Sequence, residues 1–281
     1  MQLNSQRIRT NLAGFLAGIG LLVLAACAGD KSSIDKSEAA LLKAGDMSLA
    51  QNDPGSATEA YRRAATVAPD DPAPYDHLGD ALVKSGMYSE AFQAYQASLT
   101  RNPDNVETDK KLGKVALSLG NAQQAIGYFE AAKKKDADDP SVWSGLGIAH
   151  DALGNHLQAQ KDYQAGIKLA PNNLTIRNNF GLSQILANDY IGAIATLSAV
   201  VADPRATPQY RQNLALAYGL AGNTQASLAA SRDLSQEDRA SNQQYYAMLR
   251  GMGERARTQA ILGNQFGEGA NGGNGNPSPR P

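Results

Sequence analysis

The sequence predicts an all-α chain, a superhelical solenoid of helix-turn-helix units, and three observations carry that prediction. Small residues recur with a period of 34 from Glu38 to about Ser241. Residues that cap helix N-termini stand at the last position of successive periods, three times followed by proline at the first helical position. Turn residues divide each period into two stretches of helical length. Such a unit cannot bury its apolar face alone, so neighbours must stack.

Composition bounds what the chain can do. It has 281 residues, 42% hydrophobic and 19% charged, enough apolar content to bury a sizeable core. The formal charge is -1, so no field of one sign points to nucleic acid. Its single cysteine excludes an internal disulfide and a cysteine-based zinc site.

That cysteine sits in "LVLAACAGD", at the end of an uncharged run. Met1 to Asn11 holds Arg7 and Arg9 and no acid, and Leu12 to Ala26 is apolar or glycine. This is the layout of a secretory signal, and the run falls short of the roughly 20 residues that span a bilayer comfortably. Leu24, Ala25, Ala26 and Cys27 resemble the lipobox of bacterial lipoproteins. The resemblance implies that residues 1–26 are removed, that the Cys27 thiol and the new amine are acylated, and that the lipids anchor the chain to a membrane. Ala28 stands where an aspartate would imply retention in the inner membrane, so the implied location is the outer membrane, on its periplasmic face. Residues 27–37 are expected to be the lipidated cysteine and a linker.

Residues 38–241 divide into six units beginning at Glu38, Pro72, Val106, Pro140, Leu174 and Pro208. Position 8 reads Gly45, Gly79, Gly113, Gly147, Gly181 and Ala215; position 20 reads Ala57, Ala91, Ala125, Ala159, Ala193 and Ser227. Glycine in a helix interior costs about 1 kcal/mol against alanine, so these glycines predict close helix crossings. Position 24 (Tyr61, Tyr95, Phe129, Tyr163, Leu197) supplies bulk beside the crossing. Asp71, Asn105, Asp139, Asn173 and Thr207 are the expected N-caps. Gly86, Gly120 and Gly154 mark the turns within units, with Asn188 in the glycine's place in the fifth. Residues 242–262 are expected to form a helix capping the stack, and the Gly/Pro-rich residues 263–281 a disordered tail.

A 34-residue helical hairpin with this pattern resembles the tetratricopeptide repeat (TPR). The resemblance implies that the first helix of each unit lines a concave groove through positions 2, 5, 9 and 12. On that register Asp76, Asp80, Lys110, Lys114, Asp151, Asn178 and Gln212 are the candidate partner-binding residues. A competing reading makes these charges a solvated set of salt bridges between repeats.

Nothing in the sequence points to catalysis or a cofactor. His77, His150 and His156 are the only histidines; the last two lie six apart, off a shared helix face, and neither stands in a carboxylate cluster of ligand spacing. Lys133, Lys134 and Lys135 read as a solvated run complementing a helix C-terminus. The expectation is a non-enzymatic protein that binds protein partners and no metal.

The sixth unit adds a narrower resemblance. "PQYRQNLALAYGLAGN" at 208–223, "RDLS" at 232–235 and "NQQYYAMLR" at 242–250 are similar to the C-terminal part of the TadD family, TPR lipoproteins of the tight-adherence (Flp) pilus assembly system. This resemblance implies an outer-membrane scaffold that helps assemble or localise the secretin. Other TPR lipoprotein roles, namely type IV pilus pilotin, peptidoglycan-hydrolase adaptor and exopolysaccharide-export scaffold, are the alternatives.

Overall fold

The computed structural model describes residues 31–253 and 256–261. The signal, Cys27 and the Gly/Pro-rich tail lie outside the described residues. Helices pair in sequence: α1 (Lys31–Ala50) with α2 (Pro54–Val67), α3 (Ala73–Lys84) with α4 (Tyr88–Arg101), and α5 (Val106–Ser118) with α6 (Ala122–Lys135). They continue as α7 (Pro140–Ala152) with α8 (His156–Leu169), α9 (Leu174–Leu186) with α10 (Tyr190–Val201), and α11 (Pro208–Leu220) with α12 (Thr224–Ala230). Then follow α13 (Gln236–Gly251) and a helical segment at 256–261. Among the described residues there is no strand, and no helix is long and apolar enough to cross a membrane.

Two expected boundaries are corrected. Residues 31–37 belong to helix α1 and are not linker; that stretch contains no glycine or proline to interrupt it. At the other end α12 has only 7 residues, and the capping helix starts at Gln236 instead of Asn242. Ser235 sets this start, its hydroxyl accepting from the Asp238 N–H while Glu237 and Asp238 complement the first turn.

Local signals explain the other elements. Asn105 accepts from the N–H groups of Glu107 and Thr108, Asp139 from Ser141, and Asn173 from Ile176, whereas Thr207 makes no such bond. The turn within each hairpin passes through the left-handed region, at φ 72° for Gly86 and φ 63° for Asn188, which explains why asparagine can stand for glycine there.

The glycines of position 8 are indeed contact points, although what covers them is a side chain, in four units an aromatic ring, and not a backbone. A Cβ on Gly113 would lie 2.8 Å from Phe129, one on Gly147 2.6 Å from Tyr163, and one on Gly181 2.7 Å from Leu197. Gly45 and Gly79 meet Tyr61 and Tyr95 in the same way. The position-24 side chain thus lies flat on its own unit's first helix. Phe129 is also covered from the other side by Gly145 of the next unit, so one ring joins two repeats. Tyr246 of α13 lies on Gly219 of α11, closing the end of the stack.

Candidate functional site

The chemistry of the groove follows from where the position-24 side chain ends. The Tyr61 hydroxyl donates to Asp46 Oδ1 at 2.7 Å, and the Tyr95 hydroxyl donates to Asp80 Oδ1 at 2.7 Å. Both acceptors stand at position 9, one residue after the glycine on which the ring lies. Burial, then the adjacent carboxylates, pushes both tyrosine pKa values well up, so the hydroxyls stay protonated donors. In unit three the ring is Phe129, which has no hydroxyl, and position 9 is Lys114.

Most candidate charges are consumed between repeats. Lys111, one position beyond the expected register, sends its ammonium to Asp76 Oδ2 at 2.5 Å and Asp80 Oδ2 at 2.8 Å, and Thr108 Oγ1 donates to Asp76 Oδ1 at 3.1 Å. Burial opposes its charge, but the hydrogen bonds to Asp76 and Asp80 leave the Lys111 pKa raised. Lys110 does not point at a partner: its side chain is 13% exposed and pairs with Glu107 at 2.6 Å and Asp139 at 2.7 Å. For these residues the salt-bridge reading is the correct one. Lys114 alone of the four charged candidates in units two and three is exposed and has no ionic partner among the described residues.

Asp151 and Asn178 are corrections, because both are buried, at 2% and 5% exposure. Asp151 Oδ1 lies 2.8 Å from His156 Nδ1 and accepts from Ser183 Oγ of the next unit at 2.9 Å, with the Tyr163 hydroxyl donating as well. Burial holds the Asp151 pKa above the ordinary carboxylate range despite these donors. Asn178 accepts from Asn213 Nδ2 at 2.8 Å, joining units five and six. Gln212 is half-buried on α11.

Sequence reasoning also missed the histidine contacts. His150 Nδ1 of α7 lies 2.7 Å from Asp162 Oδ2 of α8, and His156 of α8 meets Asp151 of α7, because helix pairing brings imidazole and carboxylate together whatever their spacing in sequence. Nor is the lysine run uniformly solvated. Lys135 pairs with the buried Asp109 at 2.5 Å and Lys133 lies 5.0 Å over the Trp143 ring, whereas Lys134 is exposed with no such contact among the described residues. Among the described residues no three His, Cys, Asp or Glu are grouped so as to hold a metal ion.

Two family models, each described as Tetratricopeptide repeat, match residues 82–147 and 144–211. The fold is a TPR solenoid. No curated protein sequence matches the chain significantly. Among solved structures, a tetratricopeptide repeat protein from Parabacteroides merdae superposes with TM-score 0.66 at 14% identity, covering 84% of this chain and 95% of that one. The pilF protein of Pseudomonas aeruginosa gives TM-score 0.59 at 14% identity, over 82% of this chain and 99% of that one. MamA from Desulfovibrio magneticus gives TM-score 0.55 at 20% identity, over 62% and 94%. At these identities the likeness is one of fold.

TPR packing also accounts for the residues behind the narrower resemblance. Arg211 donates to Asp233 Oδ2 at 2.9 and 3.1 Å, Gln243 Nε2 to Ser227 Oγ at 2.8 Å, and Arg250 to the Gly219 carbonyl at 2.6 Å. The last two contacts bind the cap to the sixth unit, and the first closes that unit on itself. TPR stacks mediate protein–protein interaction, and of the candidate groove residues Asp76, Asp80, Lys110, Lys114, Asp151, Asn178 and Gln212 only Lys114 is exposed.

Proposed function

We propose that the protein is a non-enzymatic TPR lipoprotein, anchored by Cys27 at the periplasmic face of the outer membrane, which binds protein components of a tight-adherence (Flp) pilus apparatus. The observation that carries this reading is the conjunction, on one chain, of a signal ending Leu24-Ala25-Ala26-Cys27 with a TPR stack closed by the sixth-unit and cap sequences at 208–250. The anchor supplies location, and the stack supplies a rigid binding face. The secretin is the partner that the family resemblance favours. Among the lysines at the candidate groove positions of unit three, Lys114 is the cation available to an acidic group of that partner, since Lys110, like the neighbouring Lys111, is already engaged by carboxylates of the stack.

The test has two arms. Cells making the wild-type chain or Cys27→Ser are labelled with a fatty-acid analogue and fractionated; label and outer-membrane recovery should require Cys27. Secretin recovery with the wild-type chain is then compared with Lys114→Glu and with Lys134→Glu, an exposed control on α6. An unlabelled wild-type chain overturns the anchor, and secretin recovered equally with and without the protein overturns the partner.

A further inference from the structure

The first helices of units five and six are covered where those of units one to four are open. At position 9 Asp46 and Lys114 are exposed and Asp80 and Ile148 half-buried, but Leu182 and Leu216 are buried. At position 13 Ala50, Lys84, Ser118 and Ala152 are all exposed, but Leu186 and Leu220 are buried. The first helix of the following unit leaves position 13 open in units one to four, so further chain must cover it in units five and six.

Two elements supply that cover. One is α13, through Tyr246 on Gly219. The other is the helical segment 256–261, which returns past unit six to reach the turn of unit five: Arg257 Nη2 donates to Asn188 Oδ1 at 2.6 Å, and the Tyr245 hydroxyl donates to the Ala260 carbonyl at 3.3 Å. Ile261 is 3% exposed and belongs to one buried cluster with Leu182, Ile185, Leu186, Leu216 and Leu220, against which Ala260 and Met252 also pack. Thr258, one turn before Ile261, is buried too. The segment does not lie on the second helices, because Ile191 of α10 and Leu228 of α12 stay exposed. Its hold is local. Six residues are too few for a helix to stand alone, and the link to α13 runs through Gly251 and Gly253, where an added Cβ would meet nothing within 4 Å.

We propose that the first-helix face of units five and six is a docking groove for a short apolar helix of a partner protein, and that residues 256–261 are its built-in competitor, closing the groove until such a helix displaces them. The segment seated there states the chemistry of the partner: a short helix anchored by a branched aliphatic side chain, with a smaller residue one turn before it, as in Ile261 and Thr258. A charged anchor would lose its water among Leu182, Ile185, Leu186, Leu216 and Leu220 and gain no counter-charge from them. The groove lies two units beyond Lys114 and selects the opposite kind of group. A competitor tethered to the same chain acts at a high effective concentration, so the partner helix must fit better or extend further than 256–261.

The probe is a labelled peptide of residues 254–261, and its binding to the purified full chain in mild detergent is read by fluorescence anisotropy. Ile261→Asp in the chain removes the anchor and should open the groove, so that the peptide binds at least about tenfold more tightly than to the wild-type chain, whose groove is filled. Arg257→Ala, which removes the hydrogen bond to Asn188, gives a second opened chain of intermediate affinity should Ile261→Asp disturb the helix content. Asn188→Gly, compatible with the φ of 63° there, should weaken the peptide several-fold in either opened chain. The same peptide carrying Ile261→Asp should bind none of them. Equal affinity for the wild-type and opened chains overturns the closure. Binding to neither opened chain overturns the groove and leaves 256–261 a fixed part of the cap, and equal binding of the two peptides overturns the apolar selection.

Discussion

Tyr163 occupies the space that a side chain on Gly147 would need: a Cβ there would lie 2.6 Å from the ring. The ring itself is held, since its hydroxyl donates to the buried Asp151. Neither partner can yield cheaply. Gly147→Leu is expected to cost about 1–3 kcal/mol or more through overpacking, beyond any gain in helix propensity. Urea unfolding should show the loss, and hydrogen exchange should show it spreading into units three and five, whose interfaces depend on unit four.

The pairing of position 24 with position 9 makes a second expectation. Phe129→Tyr alone places a buried hydroxyl where Lys114 offers no acceptor, and should destabilise by about 1–2 kcal/mol. Adding Lys114→Asp recreates the arrangement of Tyr95 with Asp80. A double-mutant cycle by denaturant unfolding should then return a favourable coupling of about 1 kcal/mol.

Lys111 sits between Asp76 and Asp80, and its removal leaves two carboxylates together. Lys111→Met should cost about 1–3 kcal/mol, below the figure for a fully buried pair because all three side chains retain some exposure to water. Its raised folded pKa also fixes a pH dependence. The contribution is complete below the unfolded lysine pKa of about 10.4 and is lost as pH rises through the folded value. Tyr95, also raised, loses its contribution in the same direction. Thermal midpoints should fall in the alkaline range, and Lys111→Met should fall less steeply there.

Lys114→Glu separates binding from folding. The side chain is exposed and has no ionic partner among the described residues, so stability should change by less than about 0.5 kcal/mol. Reversal of Lys110, by contrast, should destabilise the stack by setting a third carboxylate beside Glu107 and Asp139. Thermal unfolding of the two single variants distinguishes the positions.

The legible part of the site was its register and not its state of charge. Periodicity located Asp76, Asp80, Lys110 and Lys114 on first helices, but Lys111 lies outside the assumed positions and takes up both aspartates. Asp151 and Asn178 stood at groove positions and are buried, because Ser183 and Asn213 of the following units close over them. The same limit applies to the ends. A cap such as Ser235 is readable locally, yet its competition with a longer sixth unit is decided by Tyr246 docking on Gly219.

By itself the sequence determined what is local or periodic: the 34-residue repeat, the caps and turns, the glycines that must accept close contact, and the signal-like start with Cys27. These depend on backbone preference and on spacing along one helix, which are written in neighbouring residues. The tertiary structure decided which rings cover those glycines, which charges neutralise one another across repeats, and which remain free. Those outcomes depend on side chains half a repeat or a whole repeat apart, where a change of one helical position turns a residue from solvent into an interface. The exposure of Lys114 and the burial of Asp151 are both settled there.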